Sequence, residues 1–199
     1  MAVAVPIEPA LCAALALLAG FLVAAVWQDV RTRRIPNRLV LVGTLAGLVL
    51  NGALPLALSQ TVARPGGLGW LASFEGMALG LVLLLPLYAL KTLGAGDVKL
   101  LAMVGAFVGP HAVLGVLVAT LVAGGVLAVA FALRFRVLGA LLRNVGQVLQ
   151  TGLRQVTTEG ACDFGVSTPS LGNLPYSVAI AAGTAVYLAW HRGTVSGGV

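Results

Sequence analysis

The feature that most constrains this chain is a series of apolar runs, each long enough to cross a lipid bilayer as an α-helix. A bilayer core about 30 Å thick requires about 20 apolar helical residues. The chain has five such runs and one shorter run. The shorter run ends at Pro110, which lacks an N–H and clashes with the preceding turn. We therefore expect six transmembrane helices. The predicted spans lie at about 9–28, 39–58, 74–91, 98–109, 112–133 and 174–190.

Composition agrees with a membrane protein and excludes several other classes. Charged residues make up 9% of the chain and hydrophobic residues 59%, whereas soluble domains carry about 25% charged residues. The same balance excludes a disordered chain. Two cysteines, Cys12 and Cys162, are too few for a disulfide scaffold. We expect an all-α membrane protein in which residues 1–199 form a single domain.

The net charge of +6 arises from short basic clusters between the apolar runs. This placement is typical of cytoplasmic loops and does not indicate a nucleic-acid partner. With the N-terminus outside, only Arg64 and Arg192 fall on the outer side. The inner side then carries Arg31, Arg33, Arg34, Arg38, Lys91, Lys99, Arg134, Arg136, Arg143 and Arg154.

The longest inner loop, 135–173, begins with a segment of helical periodicity. Apolar residues recur every three or four positions from Val137 to Val156, and Arg, Asn and Gln residues fall largely on the opposite face. The pattern predicts an amphipathic helix on the inner membrane surface. A further core helix packed on the bundle is the alternative, because periodicity alone does not separate the two.

Two of the six acidic residues lie at the inner ends of predicted spans. Asp29 follows the first span, and Asp97 opens the fourth after Gly94-Ala95-Gly96. At one depth, two carboxylates can share a proton, so that one accepts a proton from water while the other donates to a carbonyl. Such a pair is the apparatus of aspartic proteolysis. The simpler alternatives are an N-cap for Asp97 and an ion pair of Asp29 with Arg31 or Arg33.

Small and polar residues accompany the two aspartates. Gly94 and Gly96 place no large side chain before the second aspartate, so a peptide substrate can lie against this turn. The alternative for this turn is a tight connection between two helices. Pro36 presets φ where the chain turns toward the second span, and Asn37 can cap that helix. Lys99 can pair with the second aspartate or extend to lipid head groups.

Together these residues resemble the type IV prepilin peptidase family, the membrane aspartic peptidases of the GxGD type. The resemblance rests on Asp29 with Arg34-Ile35-Pro36-Asn37 and on Gly94-Ala95-Gly96-Asp97-Val98-Lys99-Leu100, supported by 105–109 and 174–183. It implies that Asp29 and Asp97 are the catalytic pair and that no cofactor is used. It also implies a prepilin substrate, whose short basic leader is removed at the cytoplasmic face of the bacterial inner membrane.

One departure from the larger family members is informative. Those members carry a cytoplasmic segment after the first span with two CxxC pairs that bind zinc, and many N-methylate the new pilin terminus. Here about ten residues separate Asp29 from the second span, and Cys12 and Cys162 cannot form a tetrahedral site. The chain resembles the compact peptidases of tight-adherence (Flp) pilus systems, so we expect no metal and find no ground for expecting methylation.

Two other functional classes stay open at the level of sequence. A small proton-coupled transporter would use the aspartates as a proton relay, and a non-catalytic pilus assembly factor would keep only the fold. A transporter typically carries polar groups near the midplane of several spans and internal repeats. The sequence shows neither, and the intact pair of aspartates favours an enzyme over an assembly factor.

Overall fold

The computed structural model describes residues 7–58, 65–89, 93–134 and 176–196, and the regular structure in these ranges is helical. The all-α prediction is confirmed for this part of the chain. The predicted amphipathic helix lies outside the described residues. The helices are α1 (Ile7–Thr32), α2 (Asn37–Leu58), α3 (Trp70–Ala89), α4 (Ala95–Arg134) and α5 (Tyr176–Ser196).

The described residues of each predicted span lie in a helix, and α4 covers both the fourth and the fifth span. The part of the chain that the structure describes is therefore all-α, with helices that can cross a membrane, and the number of six crossings stays a prediction. Within the described ranges, Asn37–Ala53 of α2 is an apolar helix that is shorter than a membrane span requires. Three helices there are long and apolar enough to cross a membrane: Leu11–Thr32, Trp70–Ala89 and Ala95–Phe131.

The chain divides into two compact units, one of residues 1–124 with 175–199 and the other of residues 125–174. In the second unit, the described residues are the last part of α4. All the residues of the candidate site belong to the first unit. The expectation of a single domain stays a prediction.

Helix α4 is interrupted at Gly109, whose φ of 81° and ψ of 175° are not helical. Pro110 follows and has no N–H to continue the helical hydrogen bonds. In the first unit, residues 110–124 of α4 lie after the break. Gly124, in this second part, packs against Tyr176, which also lies within electrostatic range of Asp97. The structure thus confirms the break that Pro110 predicts.

The first part of α4, residues 95–108, forms the centre of the first unit. From Val98 to Val108 its apolar residues are buried, as expected for a helix that is hydrophobic all round. Glycines on the neighbouring helices allow this close packing, since Gly43 and Gly47 of α2 face Met103 and Phe107. The fully buried side chains of this segment are Leu100, Leu101, Met103, Val104 and Phe107.

The outer faces of the helices carry large apolar side chains. A water-soluble protein rarely exposes contiguous apolar surface of this kind, so these faces suit contact with lipid. Examples from four helices are Val23, Leu41, Val42, Leu71, Val82, Val118 and Val122.

A buried polar cluster satisfies the backbone at the break in α4. The proline after the break cannot donate to the carbonyl of Ala106, which lies four residues earlier. Asn51 Nδ2 donates instead to the carbonyls of Ala106 at 2.8 Å and Phe107 at 3.1 Å. Ser73 Oγ also donates to the Ala106 carbonyl, at 2.5 Å, and Asn51 Oδ1 accepts from the Gly66 N–H at 2.6 Å. The cluster therefore replaces helical hydrogen bonds that the break removes.

Candidate active site

The end of α1 and the start of α4 bring the two predicted aspartates to the same end of the first unit. Asp29 lies in the last turn of α1 and Asp97 in the first turn of α4, and both side chains are half-buried. The two carboxylates are close enough to interact electrostatically. Neighbouring carboxylates are the arrangement in which one proton can be shared.

Asp97 is the third residue of α4, and its backbone and side chain both bond to Gly94. The Asp97 N–H donates to the Gly94 carbonyl at 3.1 Å, and the Gly94 N–H donates to Asp97 Oδ2 at 3.3 Å. When the side chain of the third helical residue accepts from the backbone N–H of the N-cap residue, the two form half of a capping box. The capping alternative is therefore right in kind, although Asp97 caps from inside the helix and not from the N-cap position.

Asp29 is held from the opposite side by Ser177 at the start of α5. Ser177 is fully buried, and its Oγ donates to Asp29 Oδ2 at 2.5 Å. Arg31, considered as an ion-pair partner for Asp29, instead places its guanidinium 4.0 Å from the centre of the Trp27 ring, as in a cation–π contact. Arg33 ends α1 in the left-handed conformation, with φ of 56°, and its N–H donates to the Asp29 carbonyl at 2.8 Å.

Gly94 and Gly96 differ in what they allow. A Cβ at Gly96 would lie 3.2 Å from the side chain of Ile35, so its absence lets the connection between α1 and α2 pack on α4. Gly96 therefore fits the tight-connection alternative. Gly94 is exposed, and a Cβ there would meet Asp97 Oδ2 at an ordinary 3.4 Å. Positive φ is not the reason for either residue, because the described glycines with positive φ are Gly66, Gly69 and Gly109.

Pro36, Asn37 and Lys99 form the link between the start of α2 and the start of α4. The Pro36 carbonyl accepts from the N–H groups of Leu39 at 3.1 Å and Val40 at 3.3 Å. Asn37 is thus the first helical residue and not the expected cap. Lys99 Nζ donates to Asn37 Oδ1 at 3.0 Å. This bond ties the helix that carries the second aspartate to the helix that follows the first.

Three site residues were missed by reasoning from sequence: Ile35, Tyr176 and Ser177. All three lie in segments that carry the resemblance, but nothing in those segments gave them a role. The available signal was that Ser177 opens the last span at the predicted depth of Asp29. The separation of 148 residues between the two hid their contact.

The fold and the site define a helical membrane protein with two interacting aspartates at one end of its helices. The family model of the type IV leader peptidases matches residues 16–129, which is more than half of the chain and includes both aspartates. The chain therefore belongs to the type IV leader peptidase family, as the resemblance predicted, and is a peptidase. No curated protein and no solved structure matches it.

Proposed function

We propose that this protein is a membrane aspartic endopeptidase that removes the short basic leader of type IV prepilin-like proteins of the Flp type. The observation that carries the proposal is that Asp29 and Asp97 lie at one end of the first unit, near enough to interact electrostatically, and within the segment that matches the family model. Capping explains the position of Asp97 at the start of α4 but not the position of Asp29. Asp29 stands at a helix C-terminus, where a negative charge is mildly unfavourable.

The proposed chemistry needs only the two carboxyl groups and water. One proton shared between them avoids two adjacent negative charges. The ionised carboxylate takes a proton from water, and the resulting nucleophile attacks the scissile carbonyl while the other carboxyl group donates to the carbonyl oxygen. When the tetrahedral intermediate breaks down, the C–N bond breaks, the carboxyl group that took the proton from water gives it to the leaving amine, and the other carboxylate takes back its proton as the carbonyl re-forms. No step requires a metal ion, so activity in detergent should survive EDTA.

The surroundings of the pair support cleavage at the cytoplasmic surface of the inner membrane. Both aspartates lie where apolar helices end or begin, which is the level at which a scissile bond next to an apolar segment would be presented. Arg31, Arg34 and Arg38 are exposed at this same end. Basic residues concentrate on the cytoplasmic side of membrane proteins, so the charge pattern favours a site that faces the cytoplasm.

The short connection between α1 and α2 supports the compact, Flp-type assignment. Only residues 33–36 join the two helices. This connection is too short to hold the zinc-binding segment with two CxxC pairs that is typical of larger family members. The proposal accordingly includes peptidase activity and does not include N-methylation.

Co-expression with a candidate Flp-type prepilin tests the proposal. Wild type should convert the precursor to a shorter band on a gel, whereas Asp29→Asn and Asp97→Asn should leave the precursor intact. Asn preserves the shape of the side chain, so both variants should insert into the membrane at wild-type levels. Glu75→Gln is the matched control because Glu75 is an exposed acid on α3, and it should cleave normally. Near wild-type cleavage by either Asn variant would overturn the aspartate pair.

A further inference from the structure

The hydroxyl of Ser177 does not bond within its own helix, as the hydroxyls of Thr184 and Thr44 do. Thr184, two turns later on α5, donates to the carbonyl of Ile180 in its own helix at 2.7 Å, and Thr44 does the same to Val40 at 2.8 Å. Such bonds are the usual way in which a buried helical hydroxyl is satisfied. Ser177 instead donates across to a carboxylate on α1.

The bond between Ser177 and Asp29 is a short contact between the side chains of two helices. Oγ and Oδ2 lie 2.5 Å apart, at the short end for an O–H donor and an oxygen acceptor. The donor is fully buried and the acceptor half-buried, so water competes little for the serine hydroxyl. The bond therefore restrains rotation of the Asp29 carboxylate.

The first turn of α5 lies beside both aspartates. Ser177 bonds to Asp29, and the adjacent Tyr176 lies within electrostatic range of Asp97. With Oδ2 of Asp29 held by the serine, Oδ1 is the oxygen that can face water or a peptide. A reacting group that is oriented in advance loses less free energy in reaching the transition state.

We propose that Ser177 is the positioning residue of this peptidase, which fixes the orientation of the Asp29 carboxylate for the reaction. The inference rests on the proposed function, in which Asp29 belongs to the catalytic pair. Ser177 itself exchanges no proton with substrate. It acts through Asp29, and its contribution should appear in the chemical step and not in substrate binding.

Substitutions at Ser177 separate a positioning role from a packing role. Ser177→Ala removes the hydroxyl but leaves a small side chain with high helix propensity, so a residue needed only for packing should tolerate it. Ser177→Thr keeps the hydroxyl and adds a methyl group that a packed position tolerates less well. A packing role therefore predicts higher activity for Ser177→Ala than for Ser177→Thr. A positioning role predicts higher activity for Ser177→Thr than for Ser177→Ala.

The experiment compares kcat and KM of purified variants on the prepilin used for the Asp29→Asn test, normalised to folded protein. Ser177→Ala should lower kcat at least about tenfold, with KM within about twofold, and Ser177→Thr should recover most of the loss. Thr184→Ala, which also removes a buried hydroxyl from α5, should keep wild-type kcat.

The outcomes that overturn the inference can be distinguished from failure of the proposed function. If Asp29→Asn is inactive while Ser177→Ala keeps wild-type kcat, the positioning role fails and the proposed function stands. If Asp29→Asn cleaves as well as wild type, the proposed function fails and the positioning role fails with it. If Ser177→Ala folds poorly, Ser177→Cys supplies the second variant, because a thiol fills the same space but is a weak donor. Wild-type kcat in the Cys variant would likewise overturn the positioning role.

Discussion

Asn51 is a single residue whose side chain satisfies backbone groups from two other segments. Its amide donates to the carbonyls of Ala106 and Phe107, and its oxygen accepts from Gly66. The side chain is 1% exposed, so water does not replace these bonds when they are lost. Asn51 therefore stabilises the break in α4 at the end of the helices opposite to the aspartates.

Asn51→Leu, which nearly preserves volume, should lower the free energy of unfolding in detergent by about 1–3 kcal/mol, because buried backbone groups lose their partners. The control is Thr44→Val on the same helix, whose hydroxyl bonds only to a carbonyl of its own helix. That control should change the stability by no more than about 0.5 kcal/mol. Equal midpoints of thermal unfolding for the two variants would show that the Asn51 bonds contribute nothing beyond packing.

At the scale of helices, α3 and α4 approach each other through a pair of glycines. A Cβ at Gly76 would overlap the carbonyl oxygen of Gly105, and a Cβ at Gly105 would overlap that of Gly76. Small residues of this kind let two membrane helices pack with their backbones in contact. The close crossing also fixes the first part of α4, which carries Asp97 at its start.

Gly76→Ala and Gly105→Ala should each force the helices apart, which costs about 1–3 kcal/mol of stability as overpacking does, and should reduce prepilin cleavage because Asp97 moves with α4. Gly20→Ala on α1 is the control, since nothing lies within 4 Å of the added methyl group. It should be neutral or stabilising by up to about 1 kcal/mol through helix propensity. Thermal unfolding and the cleavage assay check both effects. Wild-type stability in both crossing variants would contradict the close packing.

The whole molecule shows which features can be predicted from sequence. The positions of the helices followed from apolar runs, the break in α4 from Pro110, and the shared level of Asp29 and Asp97 from where the apolar runs begin and end. Each of these depends on local composition. Because membrane helices of known length must end at one of two surfaces, local composition also places distant residues at the same depth.

The features that sequence did not predict depend on contacts between distant segments. Ser177 and Asp29 are 148 residues apart, and Asn51 lies 55 residues before Ala106. Depth alone does not say which helices are neighbours, so these partners could not be chosen. The cap of α2 was misassigned for a related reason. Asn37 has a side chain suited to capping, but Pro36 occupies the N-cap position. The side-chain oxygen of Asn37 accepts instead from Lys99 Nζ.

The orientation of the whole molecule is the last prediction, and the cytoplasmic site depends on it. In a variant with Cys12→Ala and Cys162→Ala, a cysteine introduced by Arg34→Cys should lie inside and one introduced by Gly67→Cys outside. Arg34 is exposed between α1 and α2, and Gly67 lies in the turn before α3. In the predicted topology, the basic residues fall mainly on the side of Arg34, which the positive-inside rule assigns to the cytoplasm.

An impermeant maleimide applied to spheroplasts should label Gly67→Cys at once and Arg34→Cys only after the membrane is permeabilised. Labelling of both variants in detergent is the control for reactivity. Because Asp29 and Asp97 lie at the same end as Arg34, the reversed pattern would move the site to the outer face. A leader that stays in the cytoplasm would then be out of its reach, and the proposed cleavage would fail on topology even if both aspartates were intact.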